Sequence, residues 1–245
     1  MKVSIITVCY NSSATIRDSI ESVLSQSYSN IEYIIIDGAS KDNTLSIVNE
    51  YKDRITTVIS EPDTGIYDAM NKGVAMSKGA WLYFLGADDA LYDSNTLSEV
   101  SEQLKDEFEA VSGKIVYDFQ KADTLFVKSN KGEFTSTWSS MLWIKNTVHH
   151  QSVFYNRSVF IEKKFLLRYT ILADYAFNLS LFVQGSNVKS ISNKIAICKT
   201  RGVSKHYNWA LYKEEIKLKT QLTSKILQPL FFKIAFLKFL LKKFI

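Results

Sequence analysis

Residues Trp81-Leu82-Tyr83-Phe84-Leu85-Gly86-Ala87-Asp88-Asp89 decide how this chain is read. Large apolar side chains run from Trp81 to Leu85 without interruption, and two adjacent carboxylates follow shortly after. A short apolar run without polar alternation marks a strand covered on both faces, as in a parallel sheet. Acids at the carboxyl end of such a strand stand in the crevice where open α/β sheets bind ligands. Neighbouring carboxylates repel, so they are tolerated where water, a cation or hydrogen-bond donors offset the charge. Oxygen donors of this kind suit Mg²⁺ or Mn²⁺ rather than zinc. The plainer reading is that Asp88 and Asp89 begin a turn and cap the next helix. The stretch alone does not separate the two.

The same pattern recurs toward the amino terminus. Lys2–Cys9 reads as a first strand and Ile31–Ile36 as a second, ending at Asp37-Gly38; Ile55–Ile59 reads as a third. Between them, Asn11-Ser12-Ser13 offers caps to a helix with Ile16, Ile20, Val23 and Leu24 at helical spacing, and Asp42-Asn43-Thr44 caps a shorter helix. Strands alternating with helices at short spacing mean βαβ units. No glycine-rich fingerprint joins the first strand to its helix, which excludes a dinucleotide-binding Rossmann motif. After the loop Glu61-Pro62-Asp63-Thr64-Gly65 comes a helix over Ile66–Ala75. Its Tyr67/Asn71 and Asp68/Lys72 pairs form a polar flank, while Ile66, Ala69, Met70 and Val74 face the sheet.

Farther along, the sequence predicts a surface helix over Thr96–Phe108, strands at Ala110–Tyr117, Leu125–Val127 and Val188–Ile197, and a helix from Ala173. His149-His150 opens a loop into a strand, and Arg201-Gly202-Val203-Ser204 reads as a turn. Three candidates for chemistry lie here: the His pair, Asp174 and Arg201. Asp174 at a helix start also fits an N-cap role, and Arg201 a surface ion pair worth little.

At 245 residues the chain makes one large domain or two small ones, and 46% hydrophobic with 22% charged residues is an ordinary soluble, globular balance. Two Cys in apolar segments argue against a disulfide framework and for a reducing cytoplasm. The apolar run at the amino terminus is too short for a signal peptide. Of the net charge of +5, residues from His206 onward carry eight Lys against two Glu, leaving about −1 for residues 1–205. The body therefore has no basic stripe for nucleic acid. The basic tail ends in Pro229–Ile245, apolar with interspersed Lys, slightly short for a membrane span. Lys238 and Lys242 share a helical face, a composition that suits a helix lying in an anionic lipid interface or, alternatively, packed on the body.

In combination the motifs are more specific. Thr7-Val8-Cys9-Tyr10-Asn11, Asp37-Gly38-Ala39-Ser40 with Asp42 and Thr44, Glu61 through Gly73, and Leu85-Gly86-Ala87-Asp88-Asp89 occur in order. Together with His150-Gln151, Ala173-Asp174-Tyr175 and Gly202-Val203-Ser204, this set resembles glycosyltransferase family 2, the inverting GT-A sugar transferases, of the bacterial type that builds O-antigen, capsule or exopolysaccharide. The resemblance implies a GT-A, Rossmann-like, mainly parallel sheet flanked by helices, with an amphipathic helical tail. Residues 1–105 would form the nucleotide-sugar-binding half and residues 106–205 the acceptor-binding, catalytic half, with residues 206–245 as the tail.

It implies roles as well. Thr7, Tyr10 and Asn11 would line the nucleotide cleft, and Asp37 would hydrogen-bond the uracil of a UDP-sugar. Asp63, Tyr67, Asp68, Asn71 and Lys72 would lie beside the nucleotide and donor sugar. Asp88 would sit nearer the ribose and Asp89 on a divalent cation, Mn²⁺ or Mg²⁺, with His150 completing the shell. The family's acidic motif is Asp-x-Asp; Gly86 here leaves two acids only. Asp174 matches the catalytic base. The implied partners are a nucleotide-sugar donor and a glycan or undecaprenyl-pyrophosphate-linked acceptor, with the enzyme peripheral on the inner face of the cytoplasmic membrane. A nucleotidylyltransferase would want a glycine- and basic-rich phosphate loop, and none is seen. A non-catalytic nucleotide-sugar module, or a membrane-bound scaffold acting through the tail alone, would not need Asp174.

Overall fold

The structure, a computed structural model, describes residues 1–118, 132–200 and 208–243. The predicted strand at Leu125–Val127 and the Arg201–Ser204 turn, with Arg201 itself, lie outside them. The first half is built as the apolar runs demand. Strands β1 (Val3–Cys9), β2 (Ile31–Asp37), β3 (Thr57–Ser60) and β4 (Trp81–Gly86) pair in parallel in the order β3-β2-β1-β4. Because the chain runs outward from β1 to β3 and then returns across it to β4, the order reverses between β1 and β4. Ligands bind at the carboxyl ends of strands at such a reversal.

Both faces of β4 are covered. Leu82 and Phe84 join one apolar cluster, with helices α3 (Ile66–Met76) and α5 (Ala173–Val183). Trp81, Tyr83 and Leu85 join the other, with α1 (Ile16–Leu24), α2 (Thr44–Glu50) and α4 (Thr96–Ser101). Burying such side chains contributes roughly 1.5–3 kcal/mol each, which explains why β4 carries no polar residue before Gly86.

The second half makes the sheet mixed. β4 pairs antiparallel with β8 (Val153–Asn156), which pairs antiparallel with β6 (Ala110–Asp118). β6 then takes β9 (Val188–Lys199) in parallel and β7 (Glu133–Thr135) antiparallel, and β9 takes the two-residue β5 (Ala90–Leu91). The expected mainly parallel sheet is thus parallel over β1–β4 and mixed beyond. The helix expected over Thr96–Phe108 stops at Ser101. Helix α1 starts at Ile16 with no side-chain cap from the Asn11–Ser13 loop.

The tail folds into α6 (Trp209–Leu222) and α7 (Gln228–Lys243). Leu211 and Leu218 of α6 enter the main core, while α7 packs on α6 through Phe231 and Ala235. Beneath α7 lies a buried charge cluster. Glu215 pairs with Lys219 and, at 2.6 Å, with Lys238, and both lysines also donate to Ile144 O. The Lys238 face expected to meet lipid therefore points inward. Leu230, Leu237 and Leu241 face outward instead, so α7 is apolar on both sides. No described helix is long and apolar enough to cross a membrane.

Candidate active site

Several strands, helices and loops bring their polar side chains to the carboxyl end of the parallel strands. β1 delivers Tyr10, which is exposed, and Asn11, which adopts the left-handed φ of 50° that Asn tolerates. Asn11 is fixed to the next loop by two hydrogen bonds: its N–H donates to Ser40 Oγ and its Oδ1 accepts from Lys41 N, both at 2.8 Å. Gly38 sits between Tyr10 and Asp63. A Cβ there would lie 3.0 Å from Asp63 Oδ2 and 3.4 Å from the Tyr10 ring. Tyr10 and Asp63 therefore flank Gly38, with Asn11 adjoining them in the chain.

Thr7 is not in the cleft. It is fully buried, with its hydroxyl 3.3 Å from Tyr33 Oη, because it faces the covered side of β1. Asp37 is likewise fully buried. Its carboxylate accepts from Ser60 Oγ (2.6 Å), Ser40 N (3.1 Å) and Ser40 Oγ. In this structure it pins the loop after β2 and offers no open oxygen.

The polar flank of α3 divides in two. Lys72 reaches back to the preceding loop, to Asp63 at 2.6 Å, Glu61 at 2.9 Å and the carbonyl of Pro62 at 2.9 Å. The bonds to Asp63 and Glu61 push its pKa up. Asp68 accepts from Thr64 N at 3.0 Å. Tyr67 and Asn71 turn to the second half of the chain instead. Asn71 brackets Phe165 with two backbone hydrogen bonds, and Tyr67 is buried. Ile66, expected on the sheet, is exposed.

Asp174 stands in the first turn of α5, not at its cap, which is Leu172. Tyr67 Oη lies 2.8 Å from its Oδ1, and His150 Nδ1 lies 3.0 Å from its Oδ2. Burial pushes this carboxyl up, but the bond and charge of His150 and the Tyr67 hydroxyl outweigh it, and the net shift is downward. The side chain is thus held ionised while buried. The adjacent His149 stacks its ring on His150 and meets Tyr117 and Phe134 edge-on, an aromatic packing position. His150 is the one at the site, on a short 3-10 turn with Gln151.

Asp88 is exposed at the mouth, whereas Asp89 is buried and accepts from Gln151 Nε2 at 2.5 Å and Lys199 N at 3.0 Å. Burial and the neighbouring Asp88 charge push the Asp89 carboxyl up to about 6, even against those two bonds. Both acids fold back over Gly86. A Cβ at Gly86 would lie 2.5 Å from Asp89 Oδ2 and 3.1 Å from Asp88 Oδ1. The glycine at the position where the family motif has an acid therefore makes room for the two that remain.

Two neighbouring carboxylates offer oxygen donors of the type a hard divalent cation takes. Among the described residues no group of three His, Cys, Asp or Glu side chains forms. For a cation here the protein would supply only part of a shell, to be completed by a diphosphate and water. His150 would have to use Nε2, because Nδ1 is held by Asp174.

Gln151 was not singled out from sequence as a partner of Asp89, although it adjoins the His pair. The role of the Lys199 backbone carries no sequence signal at all.

With this geometry in place, comparison with known proteins is informative. The model of glycosyl transferase family 2 matches residues 4–175. The chain belongs to this family and is a glycosyltransferase. It is 33% identical over 183 residues to a PGL/p-HBAD biosynthesis glycosyltransferase of Mycobacterium bovis, covering 73% of this chain and 69% of the relative. Over 88 residues it is 43% identical to an Escherichia coli UDP-Glc:alpha-D-GlcNAc-diphosphoundecaprenol beta-1,3-glucosyltransferase, covering 36% of this chain and 35% of that protein. Among solved structures, Staphylococcus aureus TarS 1–349 in complex with UDP-GlcNAc superposes with a TM-score of 0.71 at 17% identity, covering 96% of this chain and 70% of that one. The Pyrobaculum calidifontis mannosyltransferase bound to GDP-Man and Mn²⁺ superposes with a TM-score of 0.67 at 16% identity, covering 96% and 72%. The fold is the GT-A arrangement expected from sequence.

Proposed function

We propose that this chain is an inverting transferase that moves a sugar from a UDP-sugar to a lipid-linked glycan acceptor in the synthesis of a surface polysaccharide. The observation that carries this reading is that one short turn links the two acidic groups, His150 lying 3.0 Å from Asp174 and its neighbour Gln151 bonding Asp89 at 2.5 Å. The relatives named above include one whose donor is UDP-Glc and whose acceptor is a diphosphoundecaprenol-linked GlcNAc. A structural neighbour holds UDP-GlcNAc.

Residues 1–105 bind the donor, with Tyr10, Asn11 and Asp63 along the nucleotide and Asp88 near the ribose. Asp68 and Lys72 hold the Glu61–Thr64 loop beside the donor. Asp37, Tyr67 and Asn71 shape the cleft through the protein contacts given above. Asp88 and Asp89, with His150 Nε2, would hold a divalent cation, which when bound supplies Lewis-acid stabilisation of the departing diphosphate. Residues 106–205 present the base. Asp174 takes the proton of the acceptor hydroxyl as its oxygen bonds to the anomeric carbon and the bond to the diphosphate breaks. One displacement of this kind inverts the anomeric centre, through an oxocarbenium-like transition state. Tyr67 and His150 fix the carboxylate, and burial under α3 and α5 excludes bulk water.

Calorimetry with UDP, with and without Mn²⁺, tests the donor half. Saturable UDP binding strengthened by Mn²⁺ is expected, and absence of UDP binding would dismiss the reading. UDP-glucose and UDP-GlcNAc assayed against a GlcNAc-diphospholipid then test the chemistry. UDP binding without turnover of any nucleotide sugar would favour a non-catalytic module.

The outward face of α7, with Leu230, Leu237 and Leu241 beside the exposed Lys233, fits an anionic lipid surface on the cytoplasmic side. Leu237→Glu with Leu241→Glu is expected to abolish cosedimentation with vesicles containing phosphatidylglycerol. Unchanged cosedimentation would assign α7 to packing alone.

A further inference from the structure

The approach to α5 is held by a residue from outside the family-matched segment. Residues 165–172 are largely irregular, and α5 begins at Ala173, its cap residue Leu172 making no side-chain capping bond. Free N–H groups at a helix start need acceptors, ordinarily a Ser, Thr, Asp or Asn at the cap. Here the acceptor comes from α6. Glu214 Oε1 accepts from Thr170 N at 2.7 Å and Thr170 Oγ1 at 2.6 Å, and Oε2 accepts from Ile171 N at 3.0 Å and Leu172 N at 3.1 Å.

The other side of the same peptide is gripped from α3. The carbonyl of Ile171 and Asp174 Oδ1 lie 2.6 Å and 2.8 Å from Tyr67 Oη and share its single proton. Ile171 is therefore clamped through its N–H by Glu214 and through its C=O by Tyr67, three residues before Asp174. The adjacent Glu215 points elsewhere, into the cluster with Lys219 and Lys238. Two consecutive acids of α6 thus have separate tasks. Glu215 holds α7, and Glu214 holds the loop that leads to Asp174.

We propose that Glu214 is a positioning residue for sugar transfer: by capping residues 170–172 it sets the orientation of Asp174, which makes α6 part of the catalytic apparatus. The proposal rests on the reading of Asp174 as the base. Displacing a reacting group by about 1 Å can cost on the order of 100-fold in rate. A residue that only anchored α6 would lower stability and leave the rate per folded molecule unchanged.

The test uses the full chain with Glu214→Gln, which turns one acceptor oxygen into a donor, and Glu214→Asp, which keeps the carboxylate. Turnover is read as UDP release from UDP-glucose or UDP-GlcNAc with a GlcNAc-diphospholipid, and loop order by amide hydrogen exchange, which needs no substrate. For Glu214→Gln, kcat is expected to fall about 10- to 100-fold, with donor KM and UDP affinity within twofold of wild type. Exchange at residues 170–172 is expected to rise at least tenfold while α6 stays protected. Glu214→Asp should recover part of the rate, and in an Asp174→Asn background Glu214→Gln should cost nothing further.

A kcat within twofold of wild type, unchanged exchange at 170–172, or an equal loss in the Asp174→Asn background would overturn the proposal. If Asp174→Asn itself turned over normally, the base reading would fail, and the exchange result would still report whether Glu214 orders the loop. Should Glu214→Gln not fold, Glu214→Asp is read in the same two ways, with a smaller loss expected.

Discussion

At the amino end of the sheet, Glu32 of β2 is buried and accepts from Ser4 Oγ (2.5 Å), Lys78 N (2.6 Å) and Gly79 N (3.2 Å). At the carboxyl end, Asp89 is equally buried and accepts from Gln151 Nε2 and Lys199 N, with Asp88 beside it. Burial raises both carboxyls. At Glu32 the hydroxyl and the two backbone N–H groups outweigh it, and the net shift is downward. At Asp89 two donors do not suffice against burial and a neighbouring charge, and the group stays near 6. A buried carboxylate with enough donors closes a structure. At Asp89 deep burial beside a second carboxylate, not a lack of bonds, is what holds the value up.

The largest expected effect lies at the functional end. Asp174→Asn should keep UDP affinity and lose about 10²- to 10⁴-fold in kcat, the usual worth of a general base. Near-normal turnover in that variant would remove the base assignment.

Asp89→Asn should reverse the balance between stability and function. Its raised pKa means the charged form costs about 3 kcal/mol of stability above pH 6. That cost fades as the pH falls from 6 toward 4 and is gone only below the ordinary Asp value, where the group is protonated both folded and unfolded. Without metal, the variant is therefore expected to resist urea better than wild type at pH 7.5, with the gain shrinking toward pH 4. Gln151 Oε1, buried without a hydrogen-bond partner, can rotate in to meet the new amide. The same variant should lose the Mn²⁺-dependent gain in UDP affinity. In the wild type that gain should itself weaken as the pH drops through about 6. A variant less stable than wild type at pH 7.5 would contradict this account of Asp89.

Glu32→Gln should do the opposite. Its lowered pKa places the stabilisation above the ordinary carboxylate range, to be lost as the pH falls through the folded-state value. A loss of roughly 1–3 kcal/mol at pH 7 follows from breaking buried charge-assisted bonds, with Mn²⁺-dependent UDP binding unchanged. Urea melts at pH 7 and calorimetry check the two halves. The smallest effect is Gly86→Ala, where the added Cβ meets Asp89 Oδ2 at 2.5 Å. A severalfold loss of Mn²⁺-dependent UDP affinity is expected, and titration with Mn²⁺ measures it.

The strands were legible because burial on both faces leaves an unbroken apolar run, and β1, β2 and β4 appear where those runs lie. The place of Asp88 and Asp89 at the carboxyl end of β4 was legible because the charges directly follow such a run. The family resemblance puts Thr7 and Asp37 at the cleft, and for Asp37 its place at a strand end does so too. Their side chains turn into the covered layer, and that depends on which face of the sheet is packed. The polar flank of α3 has helical spacing that says nothing of its partners, and Tyr67 and Asn71 found theirs about a hundred residues away.

The alternating pattern, the acidic strand ends and the family are properties of the sequence by itself, since each follows from local composition and motif order. Only the tertiary structure decided that Asp174 meets Tyr67 and His150, that Asp89 is buried against Gln151 and the Lys199 backbone, and that Glu214 reaches the loop before α5. Those are long-range juxtapositions, made by packing two halves of the chain and its tail around one sheet, and no local pattern encodes which polar group each will meet.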